Sequence, residues 1–158
     1  MYSDEIHAVI ARNSGAREFA HGFTNSGHPV SCAAALKVIS IIGSERILEN
    51  VRTTGARLQR RIAQLHDFAP VGDIRGMGMM IGIEYVADRA TRTPFPAGYN
   101  IAGRVSRLAE ARGLLVRSCG HINILSPCLA STPDQVDTIV DILAETLHEL
   151  GRTMDTER

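Results

Sequence analysis

The stretch PVGDIRGMGMMIGIEYV, Pro70–Val86, is where the sequence changes from a helical repeat to an extended one. Its glycines and β-forming residues predict a turn, a short strand near Asp73 and a longer strand from about Met79 to Val86. Gly76 and Gly78 favour a tight bend or a bulge at the entry to that strand. A dinucleotide site is not indicated, because no strand-to-helix transition follows the glycines. Two strands joined through GMG would be antiparallel neighbours.

Helical repeats lie on both sides of this stretch. Before it, apolar residues recur every three or four positions and predict a long amphipathic helix from Ile47 to Leu65. After it, helices are predicted around Ile101–Ala109 and from a capping box at Thr132 to Leu150. The segments LLVRS and INILS, on either side of CGH, predict a second hairpin. The order of elements predicts an α+β layer, a short antiparallel sheet with helices covering one face.

The segment from Val30 to Ile42 is apolar on nearly every side. Pro29 precedes it, and proline is tolerated at the first position of a helix. In a soluble protein such a segment predicts a helix that is buried all round. Because 158 residues can scarcely surround this helix, we expect it to pack against something outside the chain.

Composition excludes several classes of protein. Hydrophobic residues make up 44% of the chain and charged residues 22%. Lys plus Arg equals Asp plus Glu at 17 each, so the chain has no net charge that would attract nucleic acid or an anionic membrane. The N-terminal residues lack the layout of a signal peptide, and no apolar run approaches the length of a membrane span. Three irregularly spaced cysteines do not make a disulfide framework, so we expect a cytoplasmic protein.

The basic residues consist almost entirely of arginine, with Lys37 as the one lysine. Arginine stays charged at any working pH, which suits anion recognition and excludes covalent amine chemistry. Arg117 ends the segment LLVRS, where a side chain at a sheet edge could grip a carboxylate with two parallel hydrogen bonds. A surface ion pair is an equally good interpretation of Arg117. For Arg75, a salt bridge to Asp73 or Glu84 is the better interpretation.

The segment HGFTNSG, residues 21–27, places Thr24 among glycines, where exposed backbone amides and a hydroxyl could bind a phosphate oxygen. A turn in which Thr24 bonds to its own backbone is the more common outcome for such a composition. Cys119, His121 and Cys128 are the one cluster with metal-ligating side chains, but their spacing matches no established zinc pattern, and we expect no metal site.

Five motifs occur in a fixed order between about Ser3 and Leu150. They are HGFTNSGHPVSCAAAL, VGDIRGMGMMIGIEYV, TRTPF, RGLLVRSCGHINILSPCL and TPDQVDTIVDILAETL. Together these motifs resemble the C-terminal third of class-III (omega-type) aminotransferases, which are fold-type-I enzymes dependent on pyridoxal 5'-phosphate. The resemblance implies that Phe23 and Thr24 contact the cofactor phosphate of a partner subunit. It also implies that Arg117 is the mobile arginine that, in amine:pyruvate members, binds the substrate's carboxylate.

The resemblance also implies a division of the chain into four parts. Residues 1–28 would be a remnant of the large cofactor-binding domain, 29–43 the linking helix, 44–152 the C-terminal small domain and 153–158 a frayed tail. The family's cofactor-binding lysine would fall before Met1, and Lys37 is no substitute for it. We therefore expect no catalytic residue in this chain, which alone should be inactive.

The implied parent reaction moves an amino group from a primary amine or omega-amino acid to a 2-oxo acid such as pyruvate. Its partners would be these small molecules, with a second copy of the chain in a homodimer or a complementing N-terminal chain. The alternative is a non-catalytic α+β module that binds a partner or forms oligomers through its apolar helix.

Overall fold

A computed structural model describes residues 3–12, 15 and 22–156. They fall into two units, divided between Ser40 and Ile41. The helices are α1 (Asp4–Arg12), α2 (Pro29–Ser44), α3 (Ile47–Ile62), α4 (Ile101–Glu110) and α5 (Pro133–Thr156), and the strands are β1 (Val71–Met77), β2 (Met80–Tyr85), β3 (Arg117–Cys119) and β4 (Ile122–Leu125). Short 3₁₀ turns occupy Ala63–Asp67 and Ala97–Tyr99.

The second unit contains one four-stranded antiparallel sheet in the order β1-β2-β4-β3. The predicted hairpin through GMG is confirmed, with Gly78 and Met79 between the strands and Gly78 at φ 56°. A positive φ at the first central residue favours glycine there. Gly76 is also needed, because a Cβ at that position would lie 2.1 Å from the carbonyl oxygen of Met80.

Strand β1 is longer than the short strand expected near Asp73. Its seven residues pair with β2 from Val71 to Met77, with an irregularity between Val71 and Asp73. Gly72 and Gly76 do not end the strand, because backbone hydrogen bonds to β2 order the chain on both sides of them.

The predicted α+β layer is confirmed, and its helices pack on one face of the sheet. The inner face carries Ile81, Ile83 and Tyr85, each no more than 1% exposed, against apolar residues of α3, α4 and α5. Gly55 brings α3 close to the hairpin, since a Cβ there would lie 3.0 Å from the carbonyl carbon of Gly78. The residues that alternate with this inner set, Met80, Gly82 and Glu84, are exposed or only partly buried, so this second face of β2 is open.

The ends of α5 confirm one prediction and correct another. Thr132 and Gln135 form the predicted capping box, with hydrogen bonds of 2.9 and 3.3 Å between each side chain and the other residue's backbone N–H. The frayed tail expected from residue 153 is wrong in its first part, because α5 continues to Thr156. The hydroxyl of Thr153 donates to backbone carbonyls of the preceding turn, and Met154 packs against the core, which together hold this extra turn.

Helix α2 begins at Pro29 as predicted and runs one residue past Gly43. The expectation that it is buried all round is wrong within this chain, since none of its residues is buried. Val30, Leu36 and Ile39 are 71%, 69% and 65% exposed. None of these side chains is buried in the described part of the chain, and the expectation of a partner outside the chain stays a prediction. Among the described residues, none of the helices has the length and apolar character needed to cross a membrane.

Candidate functional site

Arg117 is the first residue of β3, the outer strand of the sheet. It pairs with Ile124, which pairs with Gly82, which pairs with Arg75, so these four residues form one row across the sheet. In β4 the neighbours Asn123 and Leu125 are buried against the helices. Side chains alternate between faces, so Arg117 projects from the face that the helices leave open.

The strand that carries Arg117 is shorter than predicted and begins later. LLVRS was expected to be a strand, but Leu114–Val116 lie outside β3. The register would place Val116 opposite Leu125, the last residue of β4, but the ladder stops at Arg117 and Ile124. The carbonyl of Val116 instead accepts a hydrogen bond from the hydroxyl of Ser106 at 3.0 Å. Arg117 therefore opens the strand rather than ending it.

The two arginines of this row differ in their electrostatic partners. The predicted salt bridges of Arg75 are confirmed: its guanidinium lies 2.8 Å from Asp73 and 2.5 Å from Glu84. The bonds to Glu84 and then Asp73 hold the pKa of Arg75 above its ordinary value. Arg117 is exposed, and no ion pair joins it to any residue that the structure describes. The surface ion pair considered for Arg117 therefore does not form within the described part of the chain.

The open face between these arginines is apolar. A depression of about 650 Å³ lies over β1, β2 and β4. Its lining residues are Arg75, Gly76, Met77, Met80, Ile81, Gly82, Ile122 and Ile124. Met77 and Met80, a directly opposed pair, are 87% and 64% exposed. Arg117 does not line the depression but lies opposite one of its lining residues, Ile124.

Sequence reasoning missed a polar network behind Arg117. Asn123 is fully buried, and its Nδ2 lies 2.9 Å from Ser106 Oγ, 3.2 Å from the carbonyl of Ala102 and 3.5 Å from the carbonyl of Arg117. Its two hydrogens are shared among these three acceptors, and the contact to Arg117 is the longest. The available signal was an asparagine at an inward-facing position within the apolar strand INILS.

Thr24 lies in the first unit, in a turn over residues 24–27 that precedes α2. The turn is closed by Ser26, whose Oγ accepts from the Phe23 N–H at 2.9 Å and whose N–H donates to the Phe23 carbonyl at 2.9 Å. The hydroxyl of Thr24 makes no hydrogen bond to any residue in the described ranges. Phe23 is 73% exposed. His21, which opens the motif, lies outside the described residues.

Two backbone N–H groups of this turn, those of Thr24 and Asn25, donate to none of the described residues. The backbone bond expected of Thr24 is made by Ser26 instead.

Cys119, His121 and Cys128 do not come together as a metal site. The three cysteines are exposed and unpaired with one another. Within residues 3–12, 15 and 22–156, no three side chains of the metal-ligating types are grouped.

Comparison with known proteins identifies one family across most of the chain. The family described as aminotransferase class-III matches residues 3–147. The chain is 41% identical, over its whole length, to adenosylmethionine-8-amino-7-oxononanoate aminotransferase of Nitratidesulfovibrio vulgaris. It is 38% identical, over 93% of its length, to a probable mitochondrial gamma-aminobutyrate transaminase of Oryza sativa subsp. indica. It covers 30% and 29% of these two proteins, which is less than a third of either.

Solved structures agree with this assignment. An (S)-enantioselective omega-transaminase from Thermomicrobium roseum superposes with a TM-score of 0.82 at 35% identity, over 93% of this chain and 32% of that one. The PMP-bound form of an aminotransferase from Vibrio fluvialis gives 0.82 at 34% identity, over 95% and 32% of the two chains.

Proposed function

Because this chain belongs to the class-III aminotransferases, we propose that it is the C-terminal segment of a pyridoxal-phosphate-dependent transaminase of the amine:pyruvate type. The parent enzyme moves an amino group from a primary amine or omega-amino acid to a 2-oxo acid such as pyruvate. The observation that carries the proposal is Arg117, exposed on the open face of the sheet and without an ion pair in the described part of the chain. A relative named for gamma-aminobutyrate, an omega-amino acid, supports the donor class.

Arg117 binds the carboxylate of the acceptor. Its planar guanidinium can donate two parallel hydrogen bonds to the two carboxylate oxygens. No ion pair to a described residue has to be broken first, and the side chain starts from the end of an edge strand with solvent on one side. The same side chain can turn away when the substrate is an amine that has no carboxylate.

Thr24 and Phe23 contribute to the cofactor site of a partner subunit in a homodimer. The Thr24 hydroxyl and the adjacent amides donate to phosphate oxygens, and the N-terminus of α2 adds its partial positive charge. Pyridoxal phosphate, when bound, supplies the aldehyde that takes up the donor's amino group. The residues of this chain would hold the cofactor's phosphate and exclude water beside it.

The catalytic lysine comes from residues outside this chain. Lys37 lies on α2, two helical turns beyond Pro29, and the resemblance places the cofactor-binding lysine before the segment that α1 occupies. We therefore expect the chain alone to be inactive and to need a complementing N-terminal part. The sites of catalysis and of ring stacking would belong to that part.

The first test uses the chain alone. It is mixed with pyridoxal phosphate, reduced with borohydride and mapped by peptide mass spectrometry. We expect no stoichiometric, specific adduct on Lys37 and no transamination of pyruvate. Turnover by the chain alone would refute the assignment of the lysine to another polypeptide segment. Adding the lysine-bearing segment encoded upstream should restore turnover.

The second test addresses Arg117 in the reconstituted enzyme. Arg117→Ala should raise the KM for the oxo-acid acceptor by about 30- to 4000-fold, the equivalent of about 2–5 kcal/mol for a desolvated charge pair. A simple amine donor should change little. Arg107→Ala, on the exposed side of α4, is the matched control and should leave both substrates unaffected. Equal losses for acceptor and donor would contradict the carboxylate role.

The exposure of α2 favours one alternative, a non-catalytic module that assembles through this helix. Val30, Leu36, Val38 and Ile39 are all more than half exposed. An exposed apolar patch of this kind drives association. If light scattering shows oligomers that Ile39→Ser dissolves, while the lysine-bearing segment restores no activity, the module is favoured. Restored turnover favours the aminotransferase.

A further inference from the structure

We propose that Ser106 and Asn123 are positioning residues for Arg117. They fix the backbone from which the guanidinium projects, because Ser106 of α4 binds the carbonyl of Val116 and Asn123 of β4 contacts the carbonyl of Arg117. The proposal rests on the carboxylate-binding role assigned to Arg117 above, and it adds two residues to that site.

The first holding contact comes from Ser106. Its hydroxyl donates to the carbonyl of Val116 at 3.0 Å, while its oxygen accepts from Asn123 Nδ2 at 2.9 Å. A hydroxyl has one donor and two acceptor positions, so both contacts can be made at once. Ser106 thereby ties the residue before Arg117 to α4.

The second contact comes from Asn123, and its direction is fixed by chemistry. The carbonyl oxygens of Ala102 and Arg117, at 3.2 and 3.5 Å, can only accept hydrogen bonds. The amide nitrogen of Asn123 must therefore face them, and its Oδ1 is left buried with no partner among the described residues. A buried unpaired acceptor is unfavourable. The unpaired Oδ1 therefore does not explain why asparagine occupies this position. Its Nδ2, which faces the carbonyl of Arg117, does explain it.

The strand itself gives Arg117 little support. Strand β3 has three residues and is paired on one side only, and Arg117 is its first residue. Just before it, Leu115 is 81% exposed. A short edge strand frays readily at its end. Because Ala102 and Ser106 lie one turn apart on α4, the buried helix supplies the rigid support that the strand lacks.

This support matters for binding a carboxylate. A side chain whose backbone is already ordered loses less conformational freedom when it binds. The guanidinium can then swing about its own side-chain bonds while its point of attachment stays in place. Loss of either contact should therefore loosen Arg117 without removing its charge.

The experiment measures order at Arg117 in the ¹⁵N-labelled full chain by NMR. In Ser106→Ala and Asn123→Leu, amide exchange over Arg117–Cys119 should accelerate about 5- to 10-fold, and the Arg117 backbone should become more mobile. Ser106→Thr keeps the hydroxyl and should restore slow exchange. Thr146→Val is the matched control, because it removes a buried hydroxyl bonded at 2.7 Å to the carbonyl of Ile142 in α5. It should leave β3 unchanged.

If the amide exchange rates over Arg117–Cys119 are the same in Ser106→Ala and Thr146→Val, the proposal is wrong. If Asn123→Leu does not fold, the comparison of Ser106→Ala with Ser106→Thr decides by itself. In the reconstituted enzyme, Ser106→Ala should raise the acceptor KM about fivefold and leave the amine donor's kcat unchanged. An Arg117→Ala enzyme with an unchanged acceptor KM would refute the proposed function alone, because the exchange measurement does not depend on it.

Discussion

Tyr85 carries a hydroxyl that should destabilise the fold. The residue is 0% exposed, on the inner face of β2, and its oxygen has no hydrogen-bond partner among the described residues. Removing an unpaired buried hydroxyl recovers about 1–3 kcal/mol of desolvation, less the few dispersion contacts of one oxygen at about 0.1–0.2 kcal/mol each. We expect Tyr85→Phe to raise the free energy of unfolding at pH 7 by about 1 kcal/mol, or Tm by about 4 °C.

The advantage of this variant should grow at alkaline pH. Burial raises the pKa of Tyr85, because the charged form is poorly solvated inside the protein. Above about pH 10 the Tyr85 hydroxyl loses its proton in the unfolded chain but keeps it in the folded chain. This ionisation therefore leaves the free energy of unfolding of the wild type unchanged below that pH and lowers it as the pH rises further. The slope is about 1.4 kcal/mol per pH unit, and Tyr85→Phe removes it. The stability difference should therefore widen between pH 10 and 11.

Urea unfolding followed by circular dichroism at 222 nm, at pH 7.5, 10 and 11, measures both effects. Thr146→Val is the contrasting variant, since its buried hydroxyl has a partner at 2.7 Å and its loss should cost about 1 kcal/mol. A loss of stability in Tyr85→Phe at pH 7.5, or parallel pH profiles for wild type and variant, would refute the reasoning about an unpaired hydroxyl.

Two further predictions concern backbone packing and an ion pair. Gly76→Ala would place a Cβ 2.1 Å from the Met80 carbonyl oxygen and should lower the free energy of unfolding in urea by about 1–3 kcal/mol. Gly151→Ala, in α5 with open space around it, should raise that free energy by about 0.5–1 kcal/mol. Equal effects of the two substitutions would contradict the close approach at Gly76. The hydrogen bond from Arg57 lowers the pKa of Asp137, so its contribution is present above about pH 4 and is lost as the pH falls through the lowered value. Asp137→Asn should therefore flatten the acid limb of the stability profile below pH 4, and an unchanged limb would contradict this assignment.

The parts of the fold that sequence predicted are those set by local chemistry. The hairpin at Gly78 follows from a glycine where φ is positive, and the start of α5 follows from the Thr132–Gln135 capping box. The repeat of α3 gives its buried face directly, since Leu58 and Ile62 are fully buried. Each of these features depends on residues within a few positions of one another.

The features that sequence could not predict depend on distant residues. The start of β3 coincides with a hydrogen bond to the carbonyl of Val116 from Ser106, which lies 10 positions away in the sequence. The exposure of α2 could not be predicted either, because a segment that is apolar on nearly every side has no buried residue in the structure. The role of Asn123 could not be read from INILS, because its partners on α4 and β3 come together only in the folded sheet.

The charge pattern of the open sheet face explains why Arg117, rather than Arg75, suits an incoming carboxylate. Asp73 and Glu84 are cross-strand partners beside Arg75, and both bind it. Arg117 lies in the same row but three strand spacings away, about 14 Å at the usual separation. Neither acid forms an ion pair with Arg117 in the described part of the chain, and Gly82 and Ile124 between the two arginines carry no charge. An anion that displaces nothing is bound more readily than one that must break two existing ion pairs, which supports the role proposed for Arg117.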